Sequence, residues 1–234
     1  YREGIVAVGD ISNGDFSFSL KEKSPVHYHT FIEVFGMENH RAEHIFAQAL
    51  RLTEKIKHSA LHSCSVTPHA TYSVSEKLFS LLKNYAMHKH CPVTIHNQEC
   101  EAENTLFERK AGELFMRFNE MGINVDDFKA TGKRSLPSVL PLLPDRNPVL
   151  FVHNTYTKED DLNTAKQYRN GQSFWVICPN ANLFIEKKLP DLSLFRRHSL
   201  TLCIGTDSLA ANSRLSVLHE LKTIHQHFPE IPFD

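Results

Sequence analysis

The sequence has almost no net charge. Its 234 residues carry 26 basic and 27 acidic side chains, leaving −1. That excludes a long-range basic field for nucleic acid and an acidic tail. It has no apolar run near the ~20 residues that a membrane-spanning helix needs. No basic-then-apolar leader opens it, and it starts at Tyr1 rather than Met, so a processed or missing start is expected. Five cysteines (Cys64, Cys91, Cys100, Cys178, Cys203) include no C-x-x-C pair. Neither a disulfide framework nor a zinc knuckle is indicated, and a reducing cytoplasm is expected. G-x-G-x-x-G, P-loop and G-x-S-x-G patterns are missing, as are internal repeats and low-complexity segments. Histidine, in contrast, is abundant, with 15 residues.

Short apolar runs alternate with helical periodicity along the chain. Ile5–Asp10, Phe31–Phe35, Ser63–Val66, Pro92–Ile95, Pro148–Val152, Phe174–Cys178 and Leu200–Gly205 read as strands. Between them, Arg41–Lys57 carries Ile45, Phe46, Ala49, Leu50 and Ile56 at helical spacing. Ser73 and Glu76 have the spacing of a capping box, opening a helix with Leu78, Leu81 and Leu82. Asn104–Met121 reads as one helix stopped by Gly122. Thr157 and Asp160 can cap another, ended by Gly171, and Ser213–His227 closes the chain. Gly122–Asn147 lacks a clear strand, and reads as a lid, an extra short helix or a surface excursion. Strands separated by helices imply an α/β chain with a parallel sheet, either a (β/α)8 barrel or a doubly wound open sheet.

In a barrel, chemistry gathers at the C-terminal strand ends. Polar residues do recur after the apolar runs: Asp10, His69, His96 with Glu99, His153 with Asn154, Asn180 with Asn182, and Asp207. Imidazoles and a carboxylate at one mouth suit a borderline divalent metal. His96 and Asp207 are the candidate ligands. Glu99 is placed to shuttle a proton, and His153 to stabilise an oxyanion or orient the attacking hydroxide. Each residue alone has an ordinary reading as a satisfied strand-end histidine, a turn asparagine or a helix-capping aspartate. Only the ordered set argues for a site. His27 and His29 precede their apolar run, so they read as structural. His219, His225 and His227 lie on the last helix and carry no chemistry. Ser73 and Ser208 lack a hydrolase setting, and Cys178 reads as a buried small hydrophobe.

The ordered segments PHATYSVS, TIHNQECEAE, LFVHNTYT, CPNANL and GTDSLAAN resemble the amidohydrolase superfamily. The likeness is greatest to its aminohydrolase and chlorohydrolase branch, which includes the methylthioadenosine/adenosylhomocysteine, aminodeoxyfutalosine and guanine deaminases. It runs from Gly4 to about Leu221. The resemblance implies a TIM-type barrel and a divalent metal, most readily zinc, with iron or manganese as alternatives. It implies His96 as a metal ligand and Glu99 as the proton relay to a substrate ring nitrogen. His153 would polarise or orient the hydroxide, Asp207 would bind metal and accept a proton, and His69 would contact substrate.

Residues 1–234 would then be one incomplete barrel domain holding strands two to eight. The first strand with its H-x-H, and the flanking β-sandwich, would be missing. The expected reaction is hydrolytic deamination of an aminated heterocycle or purine nucleoside. Dechlorination, ring-amide hydrolysis and a non-catalytic barrel that has lost its metal are the alternatives. The expected partner is a small-molecule substrate, with no nucleic acid, no membrane and a homodimer by base rate. Without the H-x-H the isolated 234 residues should hold metal weakly or not at all. Metal analysis of the purified chain checks this, and tight stoichiometric zinc would contradict it.

Overall fold

The computed structural model describes residues 4–231. The order is β1 (Ala7–Ser12), α1 (Phe18–Lys21), β2 (His27–Val34), α2 (Ala42–Glu54), β3 (His62–Pro68), α3 (Glu76–Lys89) and β4 (Val93–Asn97). Then come α4 (Glu101–Arg109), α5 (Glu113–Glu120), α6 (Ser135–Val139), β5 (Val149–His153), α7 (Glu159–Tyr168) and β6 (Ser173–Ile177). The chain closes with α8 (Pro179–Glu186), α9 (Leu192–Arg197), β7 (Thr201–Ile204) and α10 (Val217–His227). Every strand pairing is parallel, and hydrogen-bonded neighbours are consecutive, β1-β2-β3 and β4-β5-β6-β7. This is the expected α/β class.

The two runs of strands meet at a seam where a side chain replaces the backbone ladder. Thr67 Oγ1 accepts from Thr94 N at 2.8 Å and donates to Thr94 O at 2.5 Å. Two residues further on the backbones bridge directly, His96 N donating to His69 O at 2.9 Å.

The helices cover one face of the strands. Ile32, Val66, Ile95, Val149, Phe151, Trp175 and Ile177 pack with Leu78, Phe79, Leu82, Leu162 and Phe195 in one buried cluster. In β5, Val149, Phe151 and His153 are buried while Leu150 and Val152 are half-buried. The strands are therefore not sealed equally on both faces.

Several boundaries differ from the sequence reading. β1 runs to Ser12, so Asp10 lies inside it and pairs with Lys21 Nζ at 2.5 Å. The cap of α3 is Ser75, which accepts from Leu78 N at 3.3 Å, because Ser73 is committed to His69 Nδ1 at 2.8 Å. The single helix expected over Asn104–Met121 is two. Lys110 and Gly112 take φ of 49° and 90°, and a Cβ on Gly112 would lie 2.8 Å from Thr105 Cγ2. At α7 the cap residue is Lys158, whose N–H donates to Asp161 Oδ2 at 2.9 Å, in place of Thr157 or Asp160. The closing helix begins at Val217.

Phe151 is fully buried and stacks on Trp175 with centroids 4.9 Å apart. Phe151→Ala should cost about 3–5 kcal/mol of stability, read as a lowered midpoint in urea unfolding.

Candidate active site

The site residues sit where strands end. His96 is in β4, and Gln98 and Glu99 follow it. His153 is the last residue of β5, Asp207 comes just after β7, and His69 directly follows β3. Eight non-glycine residues among those described have a left-handed backbone. His90, Lys110, Lys187 and Ser199 follow helix ends, where that conformation is ordinary. Gln98, His153, Asn154 and Asp207 (φ 47°, 73°, 59° and 54°) all belong to the mouth. Backbone strain of order 1–3 kcal/mol per residue persists only where the surroundings impose it.

Hydrogen bonds do so here. Asn154 Nδ2 donates to Phe151 O at 2.7 Å and to Val176 O at 3.2 Å, and its Oδ1 accepts from Asn97 Nδ2 at 2.9 Å. Gln98 Nε2 donates to Asn104 Oδ1 and Asp161 Oδ2, and its Oε1 accepts from Thr157.

The strand ends converge. Glu99, His153 and Asp207 offer ligand atoms that all lie within 4.8 Å of one another, and so do Glu33, His69 and His96. In a flat sheet β4 and β7 would be about 14 Å apart, three strand spacings, so the sheet must curl to bring Glu99 to Asp207. The two groups adjoin: the His96 and His153 rings stack with centroids 5.3 Å apart, and His69 lies 5.0 Å from His96. The expected ligand pair, His96 and Asp207, is thus divided between neighbouring groups rather than joined in one. His153 Nε2 is 3.5 Å from Glu99 Oε1. His96 Nδ1 donates to His69 O at 2.5 Å, which leaves the lone pair on Nε2.

Desolvation dominates the electrostatics. Burial raises the Glu99 carboxyl to about 7; His96 opposes this, and Asp207, Glu103 and Glu186 add to it. Burial also drives His153 down to about 3 and lowers His69. Near neutral pH the mouth therefore holds a neutral imidazole beside a carboxyl balanced between its two forms.

Of the strand-end polar residues, Asp10 does not join the mouth. Asn180 is spent on Glu220, donating through N at 2.9 Å and Nδ2 at 2.8 Å. His29 lies at the opposite end of β2, bonded to Ser63 Oγ at 2.8 Å and Ser65 Oγ at 2.9 Å, which is the structural role expected of it. A cavity of about 370 Å³ beside His27 and His29 also lies at that opposite end. Cys178 is buried, its thiol pushed up by burial; a Cβ on Gly205 would come within 2.8 Å of its Sγ.

Glu103 was missed as a participant, and Asn182 was noted only as a polar residue following a strand. Glu33, expected with His69 and the Gly122–Asn147 connection to bear on substrate choice, has a 7% exposed side chain whose Oε1 has no hydrogen-bond partner. Glu103 accepts from Gln98 N, Glu99 N and Thr71 Oγ1. Asn182 is fully buried beside His153.

The Gly122–Asn147 connection is a built annex. Asp127 Oδ2 accepts from Asn39 N at 2.7 Å, Arg134 Nε meets Asp161 at 3.0 Å, and Val125 packs with Leu106 and Phe118.

Residues 2–228 match the family described as "Amidohydrolase family". The chain is 27% identical over 227 residues to an adenosine deaminase of Helicobacter pylori, covering 94% of this chain and 53% of that protein. It superposes on the crystal structure of Helicobacter pylori aminofutalosine deaminase with a TM-score of 0.85, at 22% identity, over 96% of this chain and 55% of that one. With an adenosine deaminase from Xanthomonas campestris, crystallised with bound zinc, the TM-score is 0.73 at 21% identity, over 96% of this chain and 47% of that one. The chain spans about half the length of the curated relatives it matches. The structural likeness establishes the barrel-type α/β fold.

The raised Glu99 carboxyl has a thermodynamic signature. The folded state holds this proton to about pH 7, whereas the ordinary carboxylate loses it near 4.5. The Glu99 contribution to the stability of the metal-free chain should therefore fall as pH rises from about 4.5 to about 7, opposite in sign to those of the lowered histidines His153, His69 and His29. Glu99→Gln should remove that slope and be more stable at pH 8 by of order 2–3 kcal/mol, measured by chelator-treated urea unfolding at both pH values.

Proposed function

The chain belongs to the amidohydrolase family, and from that premise we propose that it forms the barrel of a metal-dependent hydrolase that deaminates an aminated heterocycle such as a purine nucleoside. The observation that carries this reading is the convergence of Glu99, His153 and Asp207 within 4.8 Å at the C-terminal strand ends. The likeness to deaminases of adenosine-type substrates supports the choice of reaction.

The donors suit a divalent metal. His96 has its proton fixed on Nδ1 by a backbone carbonyl, the arrangement typical of a metal-ligating imidazole. We assign His96 and Asp207 to hold the metal, taken as zinc. When bound it would act as a Lewis acid and lower the pKa of water.

The remaining chemistry belongs to the chain. Glu99, held near neutrality by burial, delivers a proton to a ring nitrogen. This polarises the neighbouring carbon for attack. His153, kept neutral, orients the attacking oxygen. Asp207 collects the proton released by that oxygen and passes it to the amino group, which leaves as ammonia as its C–N bond breaks, and His69 contacts the substrate.

In this reading residues 1–234 are one barrel unit working in the cytoplasm on a small molecule, consistent with five free cysteines. A homodimer remains part of the proposal. No helix among the described residues is long and apolar enough to cross a membrane.

Ammonia release from a panel of aminated purines and nucleosides, using the complete metal-loaded protein, tests the reading. Glu99→Gln should lower turnover by about 10²–10⁴-fold with metal content unchanged, and Asp207→Asn should reduce both. A Glu99→Gln protein that keeps more than about a tenth of the activity would rule out the proton relay.

A further inference from the structure

Two buried polar atoms at the back of the mouth lack partners, and they belong to neighbouring side chains. His153 is 1% exposed and Asn182 is 0% exposed. His153 Nδ1 and Asn182 Oδ1 are both buried without a well-formed hydrogen bond. The other end of each group is accounted for. Asn182 Nδ2 lies against Thr155 Oγ1, a hydroxyl that can accept there. His153 Nε2 faces Glu99 Oε1 at 3.5 Å.

A neutral imidazole has one N–H and one lone pair, and an orphaned buried polar atom costs about 1–3 kcal/mol. One bond between the two orphans removes both costs. The ring is held as well, since it stacks on His96 with centroids 5.3 Å apart and the adjoining Asn154 is tied to the β5 and β6 backbones.

We infer that Asn182 is a positioning residue for His153: its Oδ1 accepts the Nδ1 proton, so that Nε2 carries its lone pair into the mouth. A side-chain hydrogen bond to Asn182 is also the one contribution that favours the charged ring, against the stronger effect of burial.

The consequence separates two roles for His153. With the lone pair at Nε2 it takes a hydrogen bond from the attacking water and aims the oxygen. It does not donate to a developing oxyanion. Only this consequence rests on the proposed deaminase reading; the tautomer does not.

The test is a long-range ¹H–¹⁵N spectrum of the protein with ¹⁵N-histidine, His153 being assigned by its loss in His153→Gln. The expected pattern is a protonated Nδ1 and a bare Nε2. Asn182→Leu should shift His153 towards the Nε2-protonated form and lower kcat roughly 10–100-fold, with KM changed by less than about threefold. Asn182→Asp, which still accepts, should keep the wild-type tautomer and most of kcat. A protonated Nε2 in the unaltered protein, or an unchanged tautomer in Asn182→Leu, overturns the inference. If Asn182→Leu does not fold, the unaltered protein and Asn182→Asp still decide. Because the spectrum needs no turnover, a protein that releases no ammonia counts against the proposed function alone.

Discussion

One buried carboxylate joins the two halves of the mouth. Glu103 is fully buried on α4, and its oxygens accept from Thr71 beyond β3 and from the backbone N–H groups of Gln98 and Glu99 beyond β4. Burial pushes its carboxyl up, while hydrogen bonds from Ser135, Thr71, Gln98 and Glu99 pull it back. Isolated, such a group would be expensive; surrounded by donors, it fixes where the chain turns. The backbone it grips places Glu99. It also reinforces the seam at which His96 N meets the His69 carbonyl. The order of the site therefore descends from a residue that never faces it.

The same economy runs through the mouth. His69 supplies a ring to the site and a carbonyl to His96, and Ser73 gives up capping α3 to hold that ring. Asp161 caps α7 while accepting from Gln98 and Arg134. Such sharing is what a low-dielectric pocket demands, since each added polar group needs a partner already present. Three groups there are shifted: Glu99, His153 and His69 are displaced towards their neutral forms because burial outweighs the charges nearby.

Much of this architecture was legible in the sequence. Apolar runs such as PVLFV and FWVIC lie on the strands, and the polar residues after them lie at one rim, because in a parallel sheet all C-terminal ends point the same way. Asp10 was misread because β1 runs two residues further than its apolar run. Two of the short helices, α8 and α9, were not seen, having too few turns for periodicity to register. Glu103 could not be singled out, and Asn182 was noted only among the polar residues that follow a strand. Their value lies in hydrogen bonds to residues brought close only by folding, and a glutamate or asparagine early in a helix reads locally as an ordinary polar residue. The break between α4 and α5 was hidden because Lys110 and Ala111 are acceptable helix formers, and the interruption turns on Gly112.

The left-handed turns at Gln98, His153, Asn154 and Asp207 bear on how this mouth can be altered. A library that diversifies the rim should treat these four positions as pins and spread its changes between them. Replacing a pin with valine or isoleucine would disfavour the turn before any new contact formed. Loop grafts should accordingly begin after Asn154 and after Asp207. Inherited variety at such a rim would be channelled into the same intervals, where chemistry can drift without disturbing the geometry that performs it.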